Sequence, residues 1–183
     1  MSPGEPPSPP TPAGGVTAPK GFLAAGVRAG IKDEGPDLAL LFSEREASAA
    51  GVFTCNAMAA APVLLCRDRI LGGKARAVVV NSGNANACTG EKGWKDTLAM
   101  ARRTAEALGL PGDEEVLVAS TGRIGLPLPM AKIQKAIPAA VAALDADGGG
   151  AAAQAILTTD TAPKTSAAEV RLSGGTVRVG GMA

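Results

Sequence analysis

Histidine and tyrosine are absent from the 183 residues, and aromatic side chains make up 2% of the chain. Without histidine, no Ser-His-Asp or Cys-His machinery and no His-ligated metal site can be built from this chain alone. A transferase or hydrolase assembled here needs another base, such as a lysine or an N-terminal amine. One Trp and three Phe leave no stacking platform for bases, and a net charge of +1 gives no electrostatic footprint for nucleic acid or an acidic membrane. The three cysteines, Cys55, Cys66 and Cys88, are odd in number and form no CxxC pair. That suggests neither a disulfide framework nor a zinc knuckle, and reads as isolated reduced thiols. No apolar run approaches the ~20 residues that span a bilayer, and the N-terminus is not a charged-then-apolar leader. The expectation is a cytoplasmic protein with no metal.

What is present is aliphatic. Hydrophobic residues are 46% and charged residues 19%, enough for one substantial core of Ala, Val, Leu and Ile. Residues 1–15 hold six of the 14 prolines, which predicts an extended, poorly ordered arm. Residues 16–183 are read as a single domain. Gly21–Ile31 suggests a strand, Asp33–Pro36 a turn, Asp37–Ser43 a second strand, Glu44–Glu46 a polar turn and Ala50–Thr54 a third strand, making an antiparallel meander. Pro62–Leu71 reads as a short helix stopped by Gly72-Gly73. Ala77–Val80 reads as a buried strand.

Trp94, Leu98, Ala101, Ala105 and Leu108 recur at helical spacing within Glu91–Leu108, with Gly109 and Pro111 as stops. Trp94 is read as a core anchor. Val116–Ala119 is the next strand. Met130, Ile133, Ile137, Val141 and Leu144 mark another amphipathic helix, in which Pro138 predicts a kink or break near Ile137. Ala151–Leu157 is a short helix. Ala168–Leu172 and Thr176–Val179 form a hairpin. The alternation makes an α/β (α+β) layered sandwich, mixed sheets covered by helices.

Phosphate loops of the GxGxxG and GxxxxGK[ST] kinds are missing, and Asp145–Gly150 lacks the acidic positions of a calcium loop. Three polar stretches remain. Asn81–Gly90 follows a strand and precedes a helix, so it is either a loop shaping a ligand cleft or a large structured connector. Ser120-Thr121-Gly122 closes an apolar strand. There a backbone N–H and a hydroxyl can hold a negative oxygen, or simply make a turn. Thr158-Thr159-Asp160-Thr161 offers four polar groups in a row, suited to a polar substrate or to a hydroxyl turn.

Taken in order, these pieces resemble the α subunit of the ornithine acetyltransferases, the glutamate N-acetyltransferases of arginine biosynthesis. The likeness rests on Gly21–Gly26, Gly51–Thr54 with Asn56, Ala60–Val63, Asn81–Gly90, Ser120–Gly125 and Ile156–Thr161, and runs from about Gly14 to Ala183. It implies the α-chain half of a self-cleaved αβ enzyme. Its activity is acetyl transfer from N2-acetylornithine to glutamate, by a ping-pong cycle through an acetyl-enzyme on the N-terminal Thr of a β chain. Thr121 and Gly122 then match the oxyanion hole, and Thr158 or Thr159 the substrate contact. The implied partners are the β chain, both substrates and an α2β2 heterotetramer. No cofactor is implied, with acetyl-CoA left open as a co-substrate, and the chain alone is expected to be inert. Arg123 departs from the aliphatic residue of the family, and the chain is expected to stop short of the cleavage point. The alternatives are a self-cleaving aminopeptidase or amidohydrolase subunit and a non-catalytic small-molecule-binding module.

Overall fold

The structure, a computed structural model, describes residues 14–183. Residues 1–13 of the expected proline-rich arm lie outside the described residues. Six strands and four α-helices follow in order: β1 Phe22–Val27, β2 Leu38–Ser48, α1 Ala61–Arg69, β3 Lys74–Asn84, α2 Gly90–Leu108, β4 Val116–Arg123, α3 Met130–Ala142, α4 Gly149–Ala155, β5 Thr165–Leu172 and β6 Gly175–Met182. β1 to β4 form one sheet in sequence order. The first three strands are antiparallel neighbours, and β4 runs parallel to β3. β5 and β6 form a separate two-stranded hairpin.

The period-two alternation of β2 sends its side chains into two different cores. Leu38 and Leu40 pack with Val79, Val116, Val118, Met100, Ile133 and Ile137 beneath α2 and α3. Ala39 and Leu41 face the other way and pack with Ala24, Ala152 and Ala155 of β1 and α4. The sheet is thus the middle layer of an α/β sandwich, as expected. The second face is lined by alanines, so α4 approaches very closely. A side chain at Gly26 would overlap the backbone of Ala151.

Trp94, Leu98 and Leu108 pack against the core that buries Ala101 and Ala105, so the α2 stripe and the anchor role of Trp94 hold. Gly109 closes α2 in the left-handed conformation at φ 69°.

The meander differs from expectation. Glu44–Glu46 is not a turn; β2 continues through it to Ser48. Ala50–Thr54 is not a strand, and Val52 is fully exposed. Both edges of β2 are already taken, by β1 and by β3, so residues 50–54 have no place beside it as the third strand of a meander. Four of the residues expected in the Asn81–Gly90 loop extend β3 instead. Pro138 does not break α3, which runs unbroken from Met130 to Ala142. Its ring sits on the exposed face, and Ile133, Ala136, Ile137 and Ala140 hold the opposite face in the core.

β4 is an edge strand whose open side is covered from α1. The Val118 N–H donates to Cys66 Sγ at 3.3 Å, and the thiol donates to the Val118 carbonyl at 3.1 Å. Arg69 donates to the carbonyls of Asp113 and Val116, and its second nitrogen meets the Asp113 carboxylate at 3.0 Å. Side chains thereby satisfy an edge that would otherwise expose its backbone groups.

Candidate active site

The C-terminal ends of the parallel pair β3 and β4 meet at two glycines. Gly83 is opposite Gly122, and Asn84 then pairs with both Thr121 and Arg123, so the ladder bulges there. Gly122 has φ 131°, and a Cβ on it would lie 2.6 Å from the Asn84 nitrogen and closer still to the Gly83 carbonyl carbon. Gly83 has φ 97°, and a Cβ there would reach within 2.8 Å of Lys32 Cγ. Glycine is required at both positions, because the two strands and the 29–32 loop converge too tightly for a side chain.

The asparagines of this stretch are structural braces. Asn81 is fully buried; its amide donates to the Asn84 carbonyl at 2.8 Å and its oxygen accepts the Ser120 hydroxyl at 2.6 Å. The Asn84 amide donates to the carbonyls of Leu126 and Pro127, both at 3.1 Å, and so holds the loop after β4. Asn86, at φ 48°, ties the start of α2 by donating to the Gly93 carbonyl and to the Thr97 hydroxyl. Ser82 donates to the Ala155 carbonyl at 2.7 Å, linking β3 to the end of α4 just before Thr158.

These braces frame a cavity of ≈ 590 Å³ lined by Ile31, Lys32, Asp33, Gly83, Thr121, Gly122, Arg123, Thr158 and Thr159. The residues singled out as oxyanion-hole and substrate candidates, Thr121 with Gly122 and Thr158 with Thr159, are therefore brought to one wall system from positions almost forty residues apart. Thr121 is half-buried, while Gly122, Arg123, Thr158 and Thr159 are exposed. Arg123 turns out to be part of the same lining. Asp160 is engaged elsewhere, in an exposed ion pair with Lys164 at 2.8 Å.

Ile31, Lys32 and Asp33 are cavity residues that the motifs do not announce. The Lys32 ammonium donates to the Leu157 carbonyl at 2.9 Å, bridging 125 positions of sequence and tying the 29–33 loop to the Thr158 loop. That loop is held from beneath by Asp37, a fully buried carboxylate. It accepts N–H groups from Ala29 at 2.5 Å, Gly30 at 3.1 Å, Ile31 at 2.5 Å and Lys32 at 2.9 Å. Such convergent backbone donors meet the full hydrogen-bonding demand of a buried carboxylate. Asp37 is legible in sequence as the start of a strand, but nothing local marks it as the anchor of a cavity wall.

The cavity thus carries hydroxyls, a glycine backbone, two cations and one carboxylate. It suits a small charged substrate with a carbonyl to be polarised. Among the described residues, no group of three or more His, Cys, Asp or Glu is placed to hold a metal ion, and no helix is long and apolar enough to cross a membrane.

Known proteins resemble this chain closely. It is 56% identical over 174 residues to the arginine biosynthesis bifunctional protein ArgJ of Symbiobacterium thermophilum, covering 93% of this chain and 43% of that protein. Against the protein of the same name from Thermosynechococcus vestitus it is 55% identical over 172 residues, covering 93% and 41%. The chain therefore spans less than half the length of the curated relatives it matches.

Two crystal structures superpose on it. Arginine biosynthesis bifunctional protein ArgJ from Bacillus halodurans aligns with a TM-score of 0.87 at 41% identity, over 93% of this chain and 89% of that one. Ornithine acetyltransferase from Mycobacterium tuberculosis, solved in complex with ornithine, aligns with a TM-score of 0.86 at 48% identity, over 92% and 90%. The profile of the ArgJ family matches residues 23–183. With the match spanning nearly the whole sequence and the fold superposing, the chain belongs to the ArgJ family.

Proposed function

We propose that this chain is the α part of an acetyltransferase of arginine biosynthesis, which moves an acetyl group from N2-acetylornithine to glutamate. The observation that carries the reading is the shared cavity of Thr121, Gly122, Thr158 and Thr159 at the C-terminal ends of two parallel strands. In this reading the Thr121 hydroxyl and the Gly122 N–H form the oxyanion hole. Val118 turns its N–H away from β3, toward Cys66, and the two-residue period of the strand carries the Gly122 N–H to the same open side. Thr158 or Thr159 contacts the substrate.

The nucleophile is the N-terminal Thr of a β chain cut from the same precursor, with its own amine as base. Its hydroxyl oxygen attacks the acetyl carbonyl, and the amide nitrogen leaves, protonated, as the free amine of ornithine. The amine of glutamate then attacks the resulting ester and releases the Thr hydroxyl. Both tetrahedral intermediates place their negative oxygen in the same hole. No cofactor enters the cycle, and acetyl-CoA is a second donor to be tried. The cavity's two cations, Lys32 and Arg123, and one anion, Asp33, are complementary to the two carboxylates and one ammonium of glutamate.

The division into two chains is supported by a difference in coverage. The solved relatives are matched over 89% and 90% of their chains, the curated sequences over 43% and 41% of theirs. We read the assembly as an α2β2 heterotetramer in the cytoplasm.

The test is Thr121→Ala in the full αβ protein. The kcat for acetyl transfer should fall ~10²–10³-fold, the usual effect of removing one oxyanion donor, with the complex intact and acetyl-enzyme no longer trapped on rapid quenching. Unchanged kcat would remove Thr121 from the hole. Release of acetate or amino acids from peptides, without transfer to glutamate, would replace the reading with a hydrolase.

A further inference from the structure

Lys32 touches three of the segments that line the cavity. Its backbone N–H is fixed on the Asp37 carboxylate at 2.9 Å. Its stem lies so close over Gly83 that a Cβ there would come within 2.8 Å of Lys32 Cγ. Its ammonium then donates to the Leu157 carbonyl at 2.9 Å. One half-buried side chain thereby connects the 29–33 loop, the glycine bulge of β3 and β4, and the residue before Thr158.

The two ends of this connection are held very differently. At the Lys32 end, Asp37 accepts N–H groups from all of residues 29–32, and the Lys132 ammonium of α3 donates to the Gly30 carbonyl at 2.7 Å. At the other end, Ser82 holds the Ala155 carbonyl at 2.7 Å, and the Leu157 N–H donates to the Gln154 carbonyl at 3.3 Å. Thr158 and Thr159 are exposed and make no hydrogen bond among the described residues. Asp160 pairs only with nearby Lys164 of the same loop. Past Ala155, the Lys32 ammonium is therefore the one side chain among the described residues that ties this loop to the body of the domain. A hydrogen bond from a charged donor is among the stronger ones available for the purpose.

We propose that Lys32 is a positioning residue, which sets where Thr158 and Thr159 stand relative to Thr121 and Gly122. Gly83 is the ladder partner of Gly122, so the lysine stem rests on the wall that carries the oxyanion pair. Its length from there fixes the distance to the threonine wall. The proposal rests on the reading that these threonines contact the substrate and that Thr121 and Gly122 receive its oxygen. A shift of ~1 Å in a group that orients a substrate can cost ~10²-fold in rate, so a single tether on an otherwise unbonded loop bears directly on turnover.

The experiment uses the full αβ protein with Lys32→Met, which keeps the stem lying over Gly83 and removes the ammonium. Hydrogen exchange of the Ile156 and Leu157 amides should quicken, while the amides of residues 29–32, held by Asp37, keep their protection. The kcat/KM of both half-reactions should fall ~10–10²-fold. In a Thr158→Ala/Thr159→Ala background the same substitution should cost less than about threefold, because the groups it positions are gone. Equal losses in the two backgrounds overturn the proposal, since Lys32 would then act on substrate by its own charge or on the fold as a whole. Unchanged exchange at residues 156 and 157 overturns it as well. If Lys32→Met does not fold, Lys32→Gln, one atom shorter and neutral, carries the same comparison. The exchange readout is independent of acetyl transfer. A protein without acetyl transfer whose 156–157 amides loosen in the variant keeps the tether and sinks the enzymatic reading. An active protein whose exchange and turnover ignore the substitution does the reverse.

Discussion

Gly122 shows how a single position couples fold and chemistry. Its φ of 131° and the approach of Gly83 and Asn84 leave no volume for a methyl group. Gly122→Ala combines left-handed strain, typically ~1–3 kcal/mol, with a backbone overlap. It should lower stability by more than about 2 kcal/mol in thermal unfolding of the full protein, and splay β3 from β4. A variant with wild-type Tm would mean that the close approach is easily relaxed. Cys66 offers a second residue-level check. Burial pushes its thiol pKa up, against weaker opposing effects of the Val118 backbone and the Arg69 charge. A raised folded-state pKa means the folded protein keeps its proton longer than the unfolded chain. Stability from this group is therefore complete below the ordinary thiol range and lost as pH rises from there through the raised folded-state value. Urea midpoints measured at rising alkaline pH should fall more steeply for the wild type than for Cys66→Ala. Parallel pH profiles would refute the assignment.

At the scale of elements, the edge of β4 is guarded by α1 through side chains. Arg69 has three contacts there, one of them an ion pair with Asp113, and its side chain is 11% exposed. Hydrogen bonds to charged groups contribute ~1.5–3 kcal/mol each, and solvent screens the partly exposed ion pair. Arg69→Met should cost about 2–4 kcal/mol in denaturant unfolding, and Asp113→Asn clearly less, because the two carbonyl contacts survive. Equal losses would mean that the ion pair, not the edge, is what Arg69 supports. Elements were legible in sequence where one periodic stripe decided them. The stripe from Trp94 to Leu108 and the run Ala77–Val80 both name their structures. Ala50–Thr54 misled because β character is local and a partner edge is not: the residues suit a strand, but β1 and β3 already occupy both sides of β2. Pro138 misled in the opposite sense as a helix breaker, because the buried face of α3 keeps the helix continuous past it.

For the whole molecule, the open cavity is the feature on which the proposed function turns. Residues 14–183 supply a cavity wall, and in the reading proposed above the rest of the site comes from the remainder of the polypeptide. Expressed alone, the segment should give no acetyl transfer from acetylornithine to glutamate, and co-expression with the remainder of a family precursor should restore it. Transfer by the segment alone would remove the need for a nucleophile supplied from elsewhere.

The linear order of side chains was enough to determine the layered α/β class, the helix stripes and the candidate pairs Thr121-Gly122 and Thr158-Thr159. All of these are written in short-range patterns or in contiguous motifs. The tertiary structure alone decided that the two pairs share one cavity, that Lys32 and Asp33 join them, and that Asp37 anchors their loop. Apart from the Asp37 anchor, whose bonds reach five to eight residues back along the chain, these depend on segments distant in sequence being brought together by the packing of the sheet between its helices. Periodicity says which side of an element is apolar; only the assembled layers say what, if anything, that side meets.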